Sequence, residues 1–470
     1  MGHLPVIVGF GGISPAGRGS FHQGYKRMVA DGIEADAATD AYVDLAMLMG
    51  LVEFVDGQYQ LGAERLTKSQ VMQRFSDVIN HSTLIRKIEP TYMDVEQINW
   101  HQSADVSADN KPLRFSIPTT QLPIPLPTNW NILRVEKRDT HVEVSNHLKM
   151  MLPTTRECIV KSAGQLPSGF DVSKTYPSRN HPKGLQMTMY GASDAIQSMG
   201  IAWQTVLEKV APDRISVYAS SAMGQLDGNG YGGMMGNRLK GKKVSSKHLA
   251  LGLAEMPADF INAYLIGGLG NTGGSIGACA SFLYNLKQAA NDIQSGRARV
   301  AIVGGAEAPI TSEVIDGYAT MGALATAEQL KRLDDDLNLD EADYQRACRP
   351  FSSNCGFTLS ESAQFVVLFD DALALELGAN IHGAIDNVFV NADGHKKSIS
   401  SPGLGNWITV AKALASARSL LGERGIQRSY MHAHGTGTPQ NRVSESEILN
   451  ASAKNFGIKN WPVTAIKNYV

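Results

Sequence analysis

The sequence predicts an α/β protein with a mainly parallel sheet covered by helices on both faces, and three observations carry that expectation. Short apolar or β-branched runs recur at residues 5–8, 215–219, 300–303 and 365–369, then at 385–390, 429–432 and 462–465, each the length of a buried strand. Helical patterns alternate with these runs, and from Arg214 onward the alternation tightens into strand–helix–strand units. Many of the 46 glycines stand beside the apolar runs, where they permit tight turns and close backbone approach.

Composition bounds the class. A chain of 470 residues with 43% hydrophobic and 19% charged residues can bury a large core and more than one core unit. Its net charge of −2 supplies no broad positive field for nucleic acid or anionic membrane, so neither is expected as a partner. The four cysteines, Cys158, Cys279, Cys348 and Cys355, form no CxxC pair, which suits free thiols in a reducing cytoplasm. The start, Met1-Gly2-His3-Leu4-Pro5, lacks the pattern of a signal peptide, and no apolar stretch reaches the length of a membrane span.

Residues 31–183 interrupt the alternation and read as an insertion that covers or extends the core. It contains the polar stretch Gln102–Lys111, and its Pro118, Pro123, Pro125 and Pro127 favour extended, polyproline-like backbone. Val8-Gly9-Phe10-Gly11-Gly12 imitates a dinucleotide loop, but Ser14 stands where the third glycine belongs, which argues against a nicotinamide cofactor. The last residues read as a strand and the beginning of a turn, so the expectation is a fragment of a longer polypeptide.

Two segments carry chemistry. Asn271-Thr272-Gly273-Gly274-Ser275-Ile276-Gly277-Ala278 leads into Cys279, and Cys279, Phe282, Leu283, Leu286, Ala290 and Ile293 share one helical face. This spacing puts Cys279 in the first turn of a buried helix, where the dipole and free N–H groups favour thiolate and could hold an oxyanion. Taken alone, such a cysteine is more often packing than catalysis. The second segment, Tyr430-Met431-His432-Ala433-His434, brings an imidazole to the C-terminal end of a strand, where open α/β sheets form clefts. No nearby acid or cysteine completes a metal set with the two histidines, so no metal is expected.

Gly277-Ala278-Cys279-Ala280-Ser281, the 297–307 strand ending Val303-Gly304-Gly305-Ala306-Glu307, Met321-Gly322-Ala323-Leu324 and His434-Gly435-Thr436-Gly437-Thr438 together resemble, in order and spacing, the β-ketoacyl-acyl-carrier-protein synthases, a family of condensing enzymes. Arg349-Pro350-Phe351 with Gly356, Phe357 and Glu361 resembles the close of that family's first half, and residues 6–17 its opening. The resemblance implies a thiolase-like αβαβα layered fold of two pseudo-equivalent halves: 1–370, with the insertion, and 371–470, with the second half incomplete at Val470. A further catalytic histidine and a glycine-rich gating loop would then follow Val470. It also implies decarboxylative condensation of an acyl thioester with malonyl-acyl carrier protein in fatty-acid biosynthesis, no cofactor, a carrier protein with its phosphopantetheine arm or an acyl-CoA as partner, and a homodimer pairing through an edge strand at Val300–Val303. The long insertion resembles a larger, divergent bacterial subgroup that includes initiators of fatty-acid synthesis.

By the same resemblance Cys279 is the acyl acceptor, His434 stabilises the enolate, and Lys467 organises the surroundings of the nucleophile. Thr436 and Thr438 contact the phosphopantetheine arm, and Glu445 orders Lys467 or nearby waters. Two departures stand out: Asn441-Arg442 replaces the family's Gly-Asp, and Ser352 replaces an aspartate after Arg349-Pro350-Phe351. A catalytically silent partner subunit is the alternative reading, which retention of Cys279 and His434 opposes.

Overall fold

The computed structural model describes residues 3–107, 111–397 and 401–470. Two compact units result: Met1–Ile88 with Ile159–Gly236 and Val244–Val470, and Glu89–Cys158 with Asn237–Lys243.

The first unit is organised by strands β1 (Pro5–Ser14), β2 (Ile215–Ser220), β3 (Thr272–Gly273), β4 (Val300–Glu307), β5 (Ser362–Asp370) and β6 (Gly383–Ala384). They lie in the order β3-β2-β4-β5-β1-β6, with Gly17–Arg18 paired onto β1. The sheet is mixed rather than mainly parallel. β2 runs parallel to β3 and β4, whereas β5 is antiparallel to both of its neighbours, β4 and β1.

Side chains alternate across the sheet, as a two-residue period requires. Val217, Ala219, Val300, Ile302, Val367 and Phe369 face one layer, where they meet Met187, Ala192 and Ala195 of helix α1 (Lys183–Ser198). Tyr218, Ala301, Val303 and Leu368 face the other, against Leu286, Ala289 and Ile293 of helix α2 (Ser281–Gln294). Helices therefore cover both faces, as expected.

Gly9 and Gly11 are strand residues, not a phosphate loop. A Cβ on Gly9 would lie 2.6 Å from the carbonyl oxygen of Ala195, and one on Gly11 2.4 Å from the Ala195 nitrogen, so both glycines let α1 press on β1. Asp194 of α1 fastens the contact by accepting from the Gly12 N–H at 2.9 Å, the Ser20 hydroxyl at 2.8 Å and Arg18 Nε at 2.5 Å.

Val300–Val303, expected at an edge, is interior. β4 is hydrogen-bonded to β2 on one side and β5 on the other, and all four of these residues are fully buried. At this end of the sheet the edge is β3. The expected strand 385–390 does not form; the ladder partner of β1 here is the preceding Gly383–Ala384. After Asp370 come the helices Asp371–Glu376, Gly405–Gln427 and α4 (Pro439–Asn455), with α3 (Ser312–Thr320) preceding β5. One parallel pair, β7 (Met431–His432) with β8 (Val463–Thr464), closes this region. Among the described residues, no helix is long and apolar enough to cross a membrane.

The stretch 31–183 has two fates. Helices Ala35–Leu48 and Lys68–His81, with the meander Glu53–Val55, Gln58–Leu61 and Glu64–Leu66 between them, build a small core around Tyr42, Leu45, Val71 and Ile79. Residues 89–158 form the bulk of the second unit: a ribbon of Ile98–Ser107 with His147–Arg156, and a sheet of Leu113–Pro118, Trp130–Glu136 and Asp139–Val144. The polar stretch at 102–111 is thus strand as far as Ser107, and 108–110 lie outside the described residues. Pro118 ends a strand, while Pro123, Pro125 and Pro127 lie in the link that follows.

Candidate active site

In the first unit the turn before α2 is tied to the C-terminal end of β2, which pairs with β4. Ser275 anchors this turn through all its polar groups. Its N–H donates to Asn285 Oδ1 at 2.7 Å, its carbonyl accepts from the Ser220 hydroxyl at 2.9 Å, and its hydroxyl accepts from Gln288 Nε2 at 2.7 Å. Asn285 also donates to Ser220 at 2.9 Å, which closes the network. Beyond Ser275 the backbone turns sharply, with Ala278 at φ 48°, a conformation that strains a residue with a side chain.

Cys279 follows that strained residue. It lies ahead of the helix, not in its first turn, because Ala280 is the N-cap and Ser281 the first helical residue. The Ser281 hydroxyl donates to the Ala278 carbonyl at 2.6 Å and accepts from the Gly277 N–H at 3.0 Å, so the helix start braces the turn. The thiol is exposed. Phe282, Leu283 and Tyr284 are exposed as well, so the expected apolar face of α2 is buried only from Leu286 onward.

The imidazole of His434 comes from the turn between β7 and α4. Thr438 caps α4 by accepting from the Asn441 N–H at 3.2 Å, and the Thr436 and Thr438 hydroxyls meet at 3.0 Å. Glu445, one helical stretch further on, reaches back to accept from the His434 N–H at 2.6 Å and the Gly435 N–H at 2.8 Å. It therefore fixes the backbone that carries the imidazole. Gly437 is at φ 83°, a conformation that favours glycine, and a Cβ there would be tight, 3.1 Å from Cys348 Sγ and 3.0 Å from the Gly356 carbonyl oxygen. Cys348 is buried beneath this turn, and burial pushes its thiol up to about 11. The two departures from the family pattern meet each other: Asn441 Oδ1 accepts from the Thr436 N–H at 2.9 Å, and Arg442 donates to the Ser352 carbonyl at 2.7 Å.

Lys467 follows β8 and lies 2.8 Å from His434 Nδ1. An ammonium group can only donate, so Nδ1 accepts and the ring proton resides on Nε2. Partial burial holds His434 below the ordinary histidine range; the Lys467 charge adds to this, while Glu445 opposes it. Burial likewise lowers Lys467, against the negative charge of Cys279 as thiolate, then of Cys348 and Glu445. The Cys279 charge also acts on Tyr318 of α3, whose phenol is raised chiefly by burial. Lys467 thus contacts His434 directly and lies within reach of the Cys279 charge.

Two further residues near these groups carry no role in the sequence analysis. Glu307, the last residue of β4, accepts from the backbone N–H groups of Ala222 at 2.8 Å and Met223 at 2.6 Å. Its burial raises its carboxyl even against these donors. The signal for it was an acid at a strand's C-terminal end. Tyr318, which stacks edge-on against Phe357 at 5.5 Å, carried no such mark.

A cysteine on a strained turn, an imidazole whose Nδ1 accepts from a lysine, and a mixed sheet covered by helices on both faces together fit the chemistry of a condensing enzyme. Residues 134–372 match the model of the β-ketoacyl synthase N-terminal domain, and the chain belongs to the β-ketoacyl synthase family. It is 50% identical over 473 residues to β-ketoacyl-[acyl-carrier-protein] synthase FabY of Pseudomonas aeruginosa, an alignment that spans 100% of this chain and 74% of that protein. The crystal structure of that ketosynthase superposes with a TM-score of 0.96 at 50% identity, with the same two coverages. A 3-oxoacyl-[acyl-carrier-protein] synthase 2 of Staphylococcus aureus is 26% identical over 292 residues, covering 62% of this chain and 67% of its own length. A ketosynthase of a type II polyketide system in complex with its acyl carrier protein shares the fold, at a TM-score of 0.58 and 15% identity, over 100% of this chain and 82% of its own.

Proposed function

We propose that this enzyme is a β-ketoacyl-acyl-carrier-protein synthase in which Cys279 is the nucleophile, His434 the enolate-stabilising donor and Lys467 the group that orients His434. The Cys279 thiolate attacks the carbonyl of an acyl thioester, expels the carrier's thiol and holds the acyl group covalently. Malonyl thioester then loses carbon dioxide, and the electron pair moves into an enolate whose oxygen accepts a hydrogen bond from His434 Nε2. The enolate carbon attacks the acyl-enzyme carbonyl, and the Cys279 thiolate leaves with the pair, which regenerates the nucleophile and releases a β-ketoacyl thioester. The observation that carries this reading is the Lys467–His434 contact of 2.8 Å beside the Cys279 charge. Thr436 and Thr438 are assigned to the phosphopantetheine arm, and Glu445 to holding the His434 turn.

Acyl carrier protein is proposed as the partner. Arg238, Lys240, Lys242 and Lys243 stand exposed in one segment, and no acid occurs between Asp227 and Glu255, so this segment offers a positive field to an acidic carrier. Mixing the enzyme with an acyl thioester and malonyl-acyl carrier protein should give a β-ketoacyl product by mass spectrometry. Charge reversal at Lys240, Lys242 and Lys243 should raise KM for the carrier substrate roughly tenfold with little change in kcat. Product formation absent from wild type would refute the activity, and an unchanged KM would remove the carrier surface.

A homodimer is proposed through β3. That strand is a sheet edge, and Leu269 at 77%, Ile276 at 46% and Leu283 at 47% exposure flank it or follow it, an apolar border that a second copy would cover. Sedimentation should report a dimer that Leu283→Arg weakens; a wild-type monomer at working concentration would contradict this. We further assign 1–370 and 371–470 to the two halves of the fold, since β5 ends at Asp370, whose side chain caps the helix that follows by accepting from the Leu373 N–H at 2.6 Å. The cytoplasm is the proposed location.

A further inference from the structure

A cavity of about 490 Å³ lies in the first unit and is lined by Ser173, Tyr176, Arg179, Asn180, His181 and Lys247, together with Pro177 and Ser178. None of its lining residues is acidic. The neighbouring carboxylates are engaged elsewhere. Asp171 accepts from the Ser173 N–H at 3.0 Å and the Ser173 hydroxyl at 2.6 Å, and Asp227 from the Lys183 N–H at 2.8 Å and the Asn229 N–H at 2.8 Å. Among the described residues, the Arg179 guanidinium and the Lys247 ammonium have no ion-pair partner, although the chain as a whole carries slightly more acids than bases.

The uncharged members of the cavity are also donors. Tyr176 lies 3.0 Å from His181 Nδ1, and burial raises the phenol, so Tyr176 keeps its proton and donates it. Burial and the nearby Lys247 hold His181 low, so the ring is neutral with its remaining proton on Nε2. Phe260 packs edge-on against this ring at 5.1 Å and fixes its plane. The cavity thus joins a planar guanidinium fork, a point-charge ammonium and neutral N–H donors, with no free acceptor of charge. That set matches a phosphomonoester dianion. Its volume exceeds what a phosphate needs and falls within the range of small-molecule sites.

We propose that this cavity binds a phosphomonoester, with Arg179 and Lys247 as its charged contacts. Two sources share the chemistry: inorganic phosphate and the 3′-phosphate of coenzyme A. Assignment to an acyl-CoA substrate rests on the condensing function above, whereas the anion site does not. Titration calorimetry of the Cys279→Ser protein, which measures binding without turnover, tests it with three probes: coenzyme A, 3′-dephospho-coenzyme A and inorganic phosphate. Coenzyme A should bind at least about tenfold more tightly than its dephospho form, and Arg179→Ala and Lys247→Ala should each weaken it by a similar factor. If inorganic phosphate binds as well as coenzyme A and with the same dependence on Arg179 and Lys247, the site stands and free phosphate is its ligand. Failure of both to bind, or binding that the double variant leaves unchanged, would overturn the proposal. Because these are binding measurements, that failure stays separate from any failure of condensation.

Discussion

Cys279→Ser is expected to abolish the covalent acyl adduct and to lower condensation by on the order of 10⁴-fold or more. Serine preserves the size of the side chain and makes no new demand on the Ala278 turn, so the brace from Ser281 and the Ser275 anchors should survive. What changes is ionisation: a hydroxyl gives no useful population of oxyanion near neutral pH, whereas a thiol does. The Lys467 ammonium, which responds to charge at Cys279, would then face a neutral oxygen. Intact-mass spectrometry after mixing with acyl thioester should show the acyl increment on wild type alone, with both proteins melting at the same temperature. Equal labelling of the serine variant would place the acceptor elsewhere.

The motifs around Cys279 and His434, which carry the family resemblance, were legible because each is continuous over a few residues. What joins them is not continuous. Pro5 pairs with Asp370 and Val300 with Phe369, so the order of strands, and with it the interior position of 300–303, depends on partners that no local pattern names. Periodicity also misplaced the helix start. Apolar spacing extends back to Cys279, but the φ of 48° at Ala278 breaks the helical geometry first and leaves the thiol on a turn. For Glu445 the resemblance implied a link to the lysine or to water; that its carboxylate also holds two backbone N–H groups is a pairing that only the fold of the 434–445 turn creates. The two departures from the family pattern looked independent in sequence, yet Arg442 and Ser352 are in contact.

His434→Ala should separate the two half-reactions. Acyl transfer to Cys279 needs the thiolate and a hole for the thioester oxyanion, so the adduct should still form; decarboxylation of malonyl thioester needs the Nε2–H donor and should fall by about 10²–10³-fold. Loss of both steps together would give His434 a different role, and loss of neither would remove it from catalysis. The sign of the pH dependence follows from its neighbours. The donor is the neutral Nε2–H tautomer, and protonating Nδ1 would break its acceptance from Lys467, so activity should fall on the acid side as His434 titrates. Burial first, and Lys467 second, place that titration below the ordinary value of 6.5. Lys467→Met removes the positive charge, so the His434 pKa should rise toward its ordinary value and the acid limb of kcat should move to higher pH. Glu445→Gln removes the opposing negative charge and should move the limb the other way, at a stability cost of about 1–3 kcal/mol because an amide cannot accept from both the His434 and Gly435 N–H groups. A lysine acting only as packing would lower kcat in Lys467→Met at every pH without shifting the limb, so opposite displacements in the two variants, read from kcat against pH, are the signature of electrostatic control of one imidazole.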